Sequence, residues 1–580
     1  MRQFCQLYGQ LDRDAGTLAR IATLASHFEA ADPADAAWAL HLLLGKQRRR
    51  LITARRLRLL ALRVTGLPDW LLEASHAQVG DTAETIALLL AGSGPARGRD
   101  GGSGEGRGEG RAGASAADPA PAALAGSLQH WMEQEIPRLA GLEEHAQAAA
   151  LEAHWRHLGC DEVLVLNKLL TGAFRVGVGP GLVVKALARF SGREESLLQH
   201  RLMGGFSPSA EAFAALLAPP ESGTVPPSRP YPFLLACPLE PERLPPWDPQ
   251  GWLAEWKWDG IRAQLIRRGD ETFLWSRGEE LINGSFPDLL GAAHPLPAGT
   301  VLDGELLVWP AAAAHPQPFA ALQKRLGQRR PSARLLSEAP VTYVVYDLLE
   351  ADGVDQRQQP LALRRQRLES LLADLRSAWI RPSSLLPLGG WHDLERWRRE
   401  ARAVGAEGVM LKALDSPYAS GRRRGLWWKH KLDPFHLDAV LLYARNGSGR
   451  RANLYTDYTF GLWSDAEALG AADAEPAAGP AGAIGSGRKL VSFASAYSGL
   501  SDAELVELDR WIRRHTSERF GPVRAVQPEL VFELAFEGVQ RSSRHKSGIA
   551  VRFPRIARWR RDKPAAEADT LASALALIPP

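Results

Sequence analysis

The sequence predicts a multidomain protein with an all-α N-terminal domain, a mixed α+β central domain and a small C-terminal β-barrel. The chain has 580 residues, which at roughly 100–200 residues per domain suggests about three to five domains. Hydrophobic residues make up 45% and charged residues 23% of the chain, so each domain can bury a core. The spacing of apolar residues changes twice, at the proline-rich segment 219–246 and again after Pro434.

The N-terminal domain, residues 1–217, is predicted to be helical. Leu and Ala recur at helical spacing in 18–31 and 34–44, and Asp81 or Thr82 is placed to cap the helix that follows. Residues 92–123 are rich in Gly, Ser, Arg, Glu and Ala and lack aromatic and branched apolar side chains. Such a segment cannot bury enough surface to fold, and we expect a disordered insertion there.

The central and C-terminal domains, 218–434 and 435–565, are predicted to contain strands. Short strand-like runs alternate with helical stretches in the first, as in α+β folds. Strand-like runs dominate in the second, with a helix near 502–516, which favours a small β-barrel. The stretch 466–486 is of low complexity and is expected to be a loop insertion, and 566–580 is expected to be a C-terminal tail.

Charge and cysteine content limit the classes of partner. The formal net charge is only +4, but arginines cluster at 48–50, 422–424 and 541–561. Such clusters suit a phosphate backbone, or are solvated surface. The three cysteines form no CxxC pair, which excludes a four-cysteine zinc site and fits a reducing cytoplasm. No signal core or run of about 18 apolar residues is visible, so we expect a cytoplasmic protein without membrane contact.

The segment 255–262 reads EWKWDGIR and carries the strongest chemical signal. Its alternation predicts a strand that projects Glu255, Lys257 and Asp259 to one face, and Gly260 permits a tight turn after it. A lysine held there can be a nucleophile when neighbouring cations or a bound metal favour its neutral form. Short KxDG sequences also occur by chance in loops, so the flanking pattern is needed to support this hypothesis.

Lys257–Gly260 resembles the first motif of the covalent nucleotidyltransferases, which include ATP-dependent DNA ligases and mRNA capping enzymes. Six further segments resemble the remaining motifs of that superfamily. In the family order they are 276–279 (SRGE), 302–306 (LDGEL), 346–349 (YDLL), 407–412 (EGVMLK), 428–431 (WKHK) and 552–555 (RFPR), the last continuing to Asp562-Lys563. Seven segments in this order are hard to explain by chance.

The resemblance implies a role for each candidate site residue. Lys257 would be the catalytic nucleophile that forms a covalent lysyl-AMP. The cofactor-binding residues would be Glu255, Arg262, Arg277, Glu305, Tyr346, Arg423, Lys429 and Lys431. Glu305 and Glu407 would hold Mg²⁺, for which Mn²⁺ can substitute, because carboxylate oxygens suit hard cations. Each acid or base could instead be an ordinary surface salt-bridge residue, above all Arg422 and Arg424.

Two positions depart from the family pattern. Tyr346 stands where the ligases usually carry Phe, and the aromatic ring that stacks on the base is retained. His430 stands between Lys429 and Lys431, where an apolar residue is more usual. Since side chains alternate along a strand, both lysines share one face and His430 is expected to face away from the site.

The N-terminal segments indicate which nucleotidyltransferase this is. Segments 163–172 and 174–178 resemble the DNA-binding domain of ATP-dependent DNA ligases. Segments 35–40, 79–85 and 201–204 resemble the bacterial three-domain subgroup of that family. The resemblance implies a helical DNA-binding domain (1–217), an adenylation domain (218–434) and an OB-fold domain (435–565). Phosphate contacts are expected from 48–50, Arg55, Arg56 and 168–175.

The implied activity is sealing of nicks in double-stranded DNA by a monomer that uses ATP. Ligases that use NAD carry a cysteine-rich zinc module, which three scattered cysteines cannot form. A lysine nucleophile does not by itself select the base, so GTP stays open as a donor. Two alternatives also stay open: an RNA ligase or capping-type enzyme, and a non-enzymatic DNA-binding protein descended from a ligase.

Overall fold

The computed structural model describes residues 1–14, 16–45, 51–93, 126–172, 174, 176–203, 205–219, 227–240, 248–447, 454–465, 488–497, 499–543 and 545–578. The expected insertion at 92–123 lies outside the described residues from position 94 onward, as do the loop at 466–486 and the arginine cluster at 48–50. The chain forms two compact units. The first contains Met1–Gly9, Gln47–Phe174 and Asp433–Pro580, and the second contains Gln10–Lys46 and Arg175–Leu432.

Helices follow one another through the described part of 1–217. They are α1 (Arg2–Arg13), α2 (Thr17–Ala30), α3 (Pro33–Leu43), α4 (Ala54–Thr65), α5 (Asp69–Val79), α6 (Thr82–Ser93), α7 (Leu128–His130), α8 (Ile136–Gly141), α9 (Glu144–His157), α10 (Cys160–Thr171), α11 (Pro180–Ser191), α12 (Glu195–Leu202) and α13 (Ala210–Leu217). A π-helical turn, Trp131–Glu135, separates α7 from α8. Among the described residues no helix is both long and apolar enough to cross a bilayer.

Local chemistry accounts for the ends of these helices. Asp81 caps α6, as expected, because its Oδ1 accepts a hydrogen bond from Glu84 N at 2.9 Å. The other carboxylate oxygen of Asp81 accepts from Lys168 Nζ at 2.7 Å, which ties α10 to α6. Lys168 is buried in this pair, so the expectation that it contacts DNA phosphates is wrong. A buried ammonium has to keep its carboxylate partner.

The second unit contains the strands and helices of the central region. The strands are β1 (Leu234–Leu235), β2 (Cys237–Pro238), β3 (Trp252–Trp258), β4 (Ile261–Arg268), β5 (Glu271–Ser276), β6 (Thr300–Val308), β7 (Val341–Ala351), β8 (Val354–Asp355), β9 (Ile380–Pro382), β10 (Leu385–Leu386), β11 (Ala406–Ala413), β12 (Gly421–Arg422) and β13 (Trp427–Lys431). The helices are α14 (Pro287–Ala292), α15 (Phe319–Gln323), α16 (Ala333–Glu338), α17 (Leu361–Leu375) and α18 (Trp391–Glu400).

Two mainly antiparallel sheets position the site. One has the strand order β10-β3-β11-β13-β2, and the other has the order β5-β4-β6-β7-β8 with β9 paired to β7. The chain passes from the first sheet to the second between β3 and β4, at Gly260. A Cβ atom at Gly260 would lie 2.2 Å from the carbonyl oxygen of Leu306, so the close approach of the two segments requires glycine.

The same unit joins α12 to the central sheets. The His200 ring stacks on Tyr231, with the centroids 5.0 Å apart and an interplanar angle of 20°, and the Ser420 hydroxyl donates to Gln199. The compact unit therefore spans the boundary that the sequence predicts at 217/218. Its other border, between Leu432 and Asp433, lies two residues before the boundary predicted at 434/435.

The C-terminal region of the first unit is rich in strands. They are β14 (Phe435–Asn446), β15 (Tyr455–Asp465), β16 (Arg488–Ala496), β17 (Thr516–Phe520), β18 (Val523–Val526), β19 (Val531–Phe536), β20 (Gly538–Arg541), β21 (Ile549–Arg552) and β22 (Arg555–Trp559), with helices α19 (Asp502–Arg514) and α20 (Leu571–Ala576). The long strand β14 pairs with β15, β18 and β19, while β22 pairs with β19. This sheet encloses a core that includes Phe460, Phe532 and Ile512.

Candidate active site

Lys257 lies on β3 and meets two residues of neighbouring strands. Its Nζ is 2.5 Å from Glu407 Oε2, and the Nζ of Lys431 is 3.7 Å from the same oxygen. Glu407 lies in β11 where the pairing with β3 shifts register between Ala406 and Val409. A bulge of this kind redirects a side chain, and here it places the Glu407 carboxylate between two lysines.

Strand register brings further lysines to the same side of this sheet. Met410 lies opposite both Glu255 and Lys429, and Lys412 lies opposite Trp427. Because residues directly opposite share a face, one face carries Glu255, Lys257, Lys412, Lys429 and Lys431. We call it the lysine face.

The lysine face has more positive than negative charge near Lys257. Lys429 is half-buried, and no carboxylate pairs with its ammonium in the described part of the chain. Burial lowers the pKa of Lys429, and the nearby cations Arg422, Lys431, Lys257 and Arg277 lower it further. Cations held close together with too few carboxylates fit an anionic ligand such as a polyphosphate.

Glu305, on β6 of the second sheet, lies near the lysine face. Burial raises the pKa of Glu305 to about 8; Lys257 and Arg262 oppose the rise, whereas Asp303 and Glu407 add to it. Within the described residues no side chain or backbone group donates a hydrogen bond to its carboxylate. The side chain of Glu305 is half-buried, and a carboxylate that is partly open to solvent and has no donor fits a bound cation. No group of three or more His, Cys, Asp or Glu is arranged for a metal in the described part.

Aromatic rings line the end of the lysine face that carries Lys412, which we call the inner end. The Tyr346 ring meets Trp427 edge-on at 6.2 Å, and the Lys412 Nζ lies 4.2 Å from the Tyr346 centroid. Glu255 is 1% exposed and pairs with Lys412 and with Arg365. Sequence reasoning missed Lys412 and Arg365 as site residues. Lys412 lies in the segment 407–412 that the sequence singles out, but its pairing with Glu255 could not be read from that segment.

The three candidate arginines differ in exposure and in the number of partners that their guanidinium groups have. Arg262 donates to both oxygens of Asp303, at 2.6 and 3.2 Å, and to the Leu234 carbonyl at 2.7 Å. Although burial opposes its charged form, Asp303 holds the pKa of Arg262 well above its usual range. Arg277 and Arg423 are exposed, and Arg423 has no ion-pair partner in the described residues. Arg262 is thus fixed by the fold, while Arg277 and Arg423 can move to meet a ligand.

His430 faces away from the lysine face, as expected. It lies opposite Val409 in the sheet, and its Nε2 is 2.5 Å from Glu395 Oε1 on α18. The helix that covers the back of the sheet is therefore tied to the strand that carries Lys429 and Lys431.

The last motif lies in the C-terminal region. Phe553 is 61% exposed and has a φ of 53°, so the turn between β21 and β22 presents this ring to solvent. Lys563 Nζ and Arg560 Nη1 lie 2.8 and 2.7 Å from Asp438 Oδ2. Asp562 pairs with Arg560, so two residues of this motif, Asp562 and Lys563, are held by ion pairs within the same region.

Three family models match the chain in sequence. They are "DNA ligase N terminus" at residues 1–188, "ATP dependent DNA ligase domain" at residues 239–431 and "ATP dependent DNA ligase C terminal region" at residues 480–563. Two of the similar proteins are named "Probable DNA ligase". That of Koribacter versatilis (strain Ellin345) is 34% identical over 436 residues, covering 71% of each chain. That of Anaeromyxobacter sp. (strain Fw109-5) is 31% identical over 485 residues, covering 79% of this chain and 87% of the relative.

A solved structure named Pmar-Lig_Pre shares the fold. It covers 96% of this chain and 99% of its own length with a TM-score of 0.55 at 15% identity. The three family models follow the order of N-terminal, central and C-terminal ligase regions, and the two relatives described above match over 71% and 87% of their own length. The chain belongs to the ATP-dependent DNA ligase family.

Proposed function

We propose that the chain seals nicks in duplex DNA through an AMP adduct on Lys257. Family membership supplies the reaction, ATP-dependent DNA ligation. The observation that supports Lys257 as the nucleophile is its place on the lysine face, in contact with Glu407 and close to the unpaired Lys429. A nucleophile for a phosphate needs such cations, since phosphoryl transfer depends mainly on positioning and charge neutralisation.

In the first step the Lys257 Nζ attacks the α-phosphorus of ATP. A P–N bond forms, the bond between the α-phosphorus and the bridging oxygen breaks, and pyrophosphate leaves. Nζ must be neutral to attack, and Glu407 Oε2, 2.5 Å away, is in place to accept the proton that the ammonium loses first. The second proton, lost as the P–N bond forms, passes to solvent. Lys429 and Lys431 balance the charge of the phosphates. The AMP then passes to the 5′-phosphate of the nick, and the 3′-hydroxyl displaces it to close the backbone.

The nucleoside is held at the inner end of the lysine face. Tyr346 stacks on the base, and Glu255 contacts the edge of the base. Arg262, Arg277 and Arg423 serve the ribose and phosphate oxygens. Arg262 makes this contact without moving, because Asp303 holds its guanidinium in place. Arg277 and Arg423 are exposed and move toward the bound nucleotide.

Mg²⁺ fits the two carboxylates, and Mn²⁺ can substitute for it. Glu305 and Glu407 would hold the ion, which supplies positive charge at the phosphates when bound. The support is the Glu305 carboxylate, which is half-buried, lies near Lys257 and accepts no hydrogen bond from a described group. Mg²⁺ commonly uses only one or two protein carboxylates together with substrate oxygens, so two suffice here.

The protein binds DNA as a monomer, and its three domains divide the work between DNA binding and adenylation. Residues 1–217 form an all-helical DNA-binding domain, 218–434 the adenylation domain, and 435–565 an OB-fold domain. The helices α1–α13 support the first assignment. The shared strand β14 and the strand-rich core around Phe532 support the third. A ligase acts at any sequence, so its contacts are expected on the backbone of the duplex.

The decisive experiment is labelling with α-³²P-ATP followed by a denaturing gel. The wild-type chain should retain label, and Lys257→Ala should retain none, because alanine offers no nucleophile. Lys257→Ala should still seal a nick that already carries the AMP on its 5′-phosphate. Normal labelling of Lys257→Ala contradicts the assignment. Parallel assays with nicked DNA and nicked RNA separate the ligase from an RNA-ligase or capping-type activity.

A further inference from the structure

Lys412 is a buried lysine that the reaction just described does not use. It is 1% exposed, and its Nζ lies 4.2 Å from the Tyr346 centroid and 4.3 Å from the Trp427 centroid. Burial lowers the pKa of Lys412, and the carboxylates of Glu255 and Asp347 oppose that effect. A methionine would fill this space without the cost of desolvating a charge, so packing alone does not account for an ammonium here.

The ammonium of Lys412 fixes Glu255 together with Arg365. Lys412 Nζ lies 2.5 Å from Glu255 Oε2, and Arg365 Nη1 lies 2.8 Å from Glu255 Oε1. Arg365 is itself held, because its Nε donates to Glu369 at 2.7 Å and its Nη2 donates to the Ser383 carbonyl. Each oxygen of Glu255 therefore has one fixed donor and keeps lone-pair capacity for a second.

The order of residues along the lysine face relates Glu255 to the bound nucleotide. Lys412 and Trp427 form the innermost row of opposite residues, Glu255 and Lys429 belong to the next row, and Lys257 is two residues further along β3. A nucleotide with its α-phosphate at Lys257 and its base against Tyr346 extends inward along this face. Its base edge then meets the Glu255 carboxylate, with Lys412 behind it.

We propose that Lys412, with Arg365, is a positioning residue that presents Glu255 as an acceptor-only edge and thereby selects adenine over guanine. This inference rests on the proposed nucleotide site and deepens it. A carboxylate held by two cations accepts a hydrogen bond from the exocyclic amino group of adenine. Guanine presents a carbonyl oxygen at the same ring position, which a carboxylate repels. Without the two cations the carboxylate can turn away or take up a proton and donate, and the distinction is lost.

The test measures single-turnover self-labelling of the full chain with α-³²P-ATP and α-³²P-GTP over a range of concentrations. Wild type should favour ATP strongly. In Lys412→Met the apparent KM for ATP should rise about tenfold and the ATP-to-GTP preference should fall by about the same factor, as expected when a buried polar contact is misplaced. The rate at saturating ATP should change less. Lys412→Arg, which keeps the charge, should recover part of the preference.

Arg325→Met is the matched control, since Arg325 is also buried and bidentate, on Asp288 at 2.6 and 2.9 Å, but lies away from the lysine face. It should lower the melting temperature and leave the ATP-to-GTP preference unchanged. Equal loss with both nucleotides in Lys412→Met overturns the inference, as does a wild type that uses GTP as well as ATP. If Lys412→Met does not fold, Arg365→Met removes the other donor to Glu255 and should lower the ATP-to-GTP preference in the same way. A wild type that labels with neither nucleotide would instead contradict the proposed function.

Discussion

The Glu305 carboxylate links the stability of the folded chain to pH. Burial raises its pKa to about 8, whereas a glutamate in an unfolded chain ionises near about 4.3. Between about pH 5 and pH 8 the folded state therefore holds a proton that the unfolded state has released, so the stability contributed by this residue falls as the pH rises. A group that costs stability but is suited to a cation is typical of a functional site.

Replacing Glu305 should remove this pH dependence. In EDTA, the melting temperature of Glu305→Gln should be close to that of wild type at pH 5 and about 3 °C above it at pH 8.5, because the amide does not ionise in this range. Glu338→Gln, whose side chain is 54% exposed, is the control and should show the same melting temperature difference from wild type at both pH values. A constant difference for Glu305→Gln would mean that the carboxylate is not held in its neutral form. Self-labelling by Glu305→Gln should fall even though its stability rises.

The sequence predicts site residues that lie within a recognisable motif, but not the side chains that hydrogen-bond to them in the folded protein. Lys257, Glu305, Glu407, Lys429 and Lys431 are each named from a motif, and the fold brings them near one another. The donors to Glu255 were not found, because Arg365 and Lys412 are 110 and 157 residues away in sequence. Such pairs depend on which strands and helices become neighbours, and no local pattern encodes that.

At the scale of elements, alternation predicts strand faces where the strands are regular and gives no guide where the pairing shifts register. The face shared by Glu255 and Lys257 on β3 followed from a period of two. Glu407 meets Lys257 only because a register shift interrupts the pairing of β11 with β3. The glycine that follows, Gly408, has a φ of 145°, and a Cβ there would lie 2.2 Å from the His430 carbonyl oxygen. A sequence pattern gives no sign of which strand will bulge.

The C-terminal tail predicted at 566–580 contains a packed element. Leu571 and Ala574 of α20 are buried in the core of the C-terminal region. The segment before α20 is anchored as well, because Asp569 Oδ2 accepts from Asp438 N at 2.7 Å and the Trp463 indole donates to the Ala565 carbonyl at 2.7 Å. A lone short helix is marginal, so the sequence signal was weak and tertiary packing decided the outcome.

Asp569→Ala should therefore destabilise the C-terminal region. The change leaves the Asp438 backbone N–H without its acceptor, at a cost of about 1–3 kcal/mol. Urea unfolding of the full chain, followed by tryptophan fluorescence, should show an earlier transition. Glu567→Ala, two residues away and exposed, should unfold like wild type. Identical midpoints for both variants would show that the tail is not anchored through Asp569.

At the scale of the whole molecule, the net charge of +4 is too small to attract DNA by itself. Attraction must come from local clusters of basic residues, because phosphate contacts act within about a Debye length, roughly 10 Å at 0.1 M salt. Among the described residues of the N-terminal region, α4 carries the arginines Arg55, Arg56, Arg58 and Arg63. Arg55 is exposed, whereas Arg58 lies 3.6 Å from Glu73.

This difference predicts which arginine of α4 contributes to DNA binding. Each phosphate that a protein cation neutralises adds about 0.9 to the slope of log affinity against log salt. Arg55→Gln should thus weaken binding of the full chain to a nicked duplex and reduce that slope by about one, with the same loss for duplexes of unrelated sequence. Arg58→Gln, which removes a cation already paired with Glu73, should leave the slope nearly unchanged. Binding constants measured between 50 and 200 mM NaCl give the slope for wild type and for each variant. Equal slopes for wild type and Arg55→Gln would place the phosphate contacts elsewhere, and a loss confined to one DNA sequence would contradict recognition of the backbone.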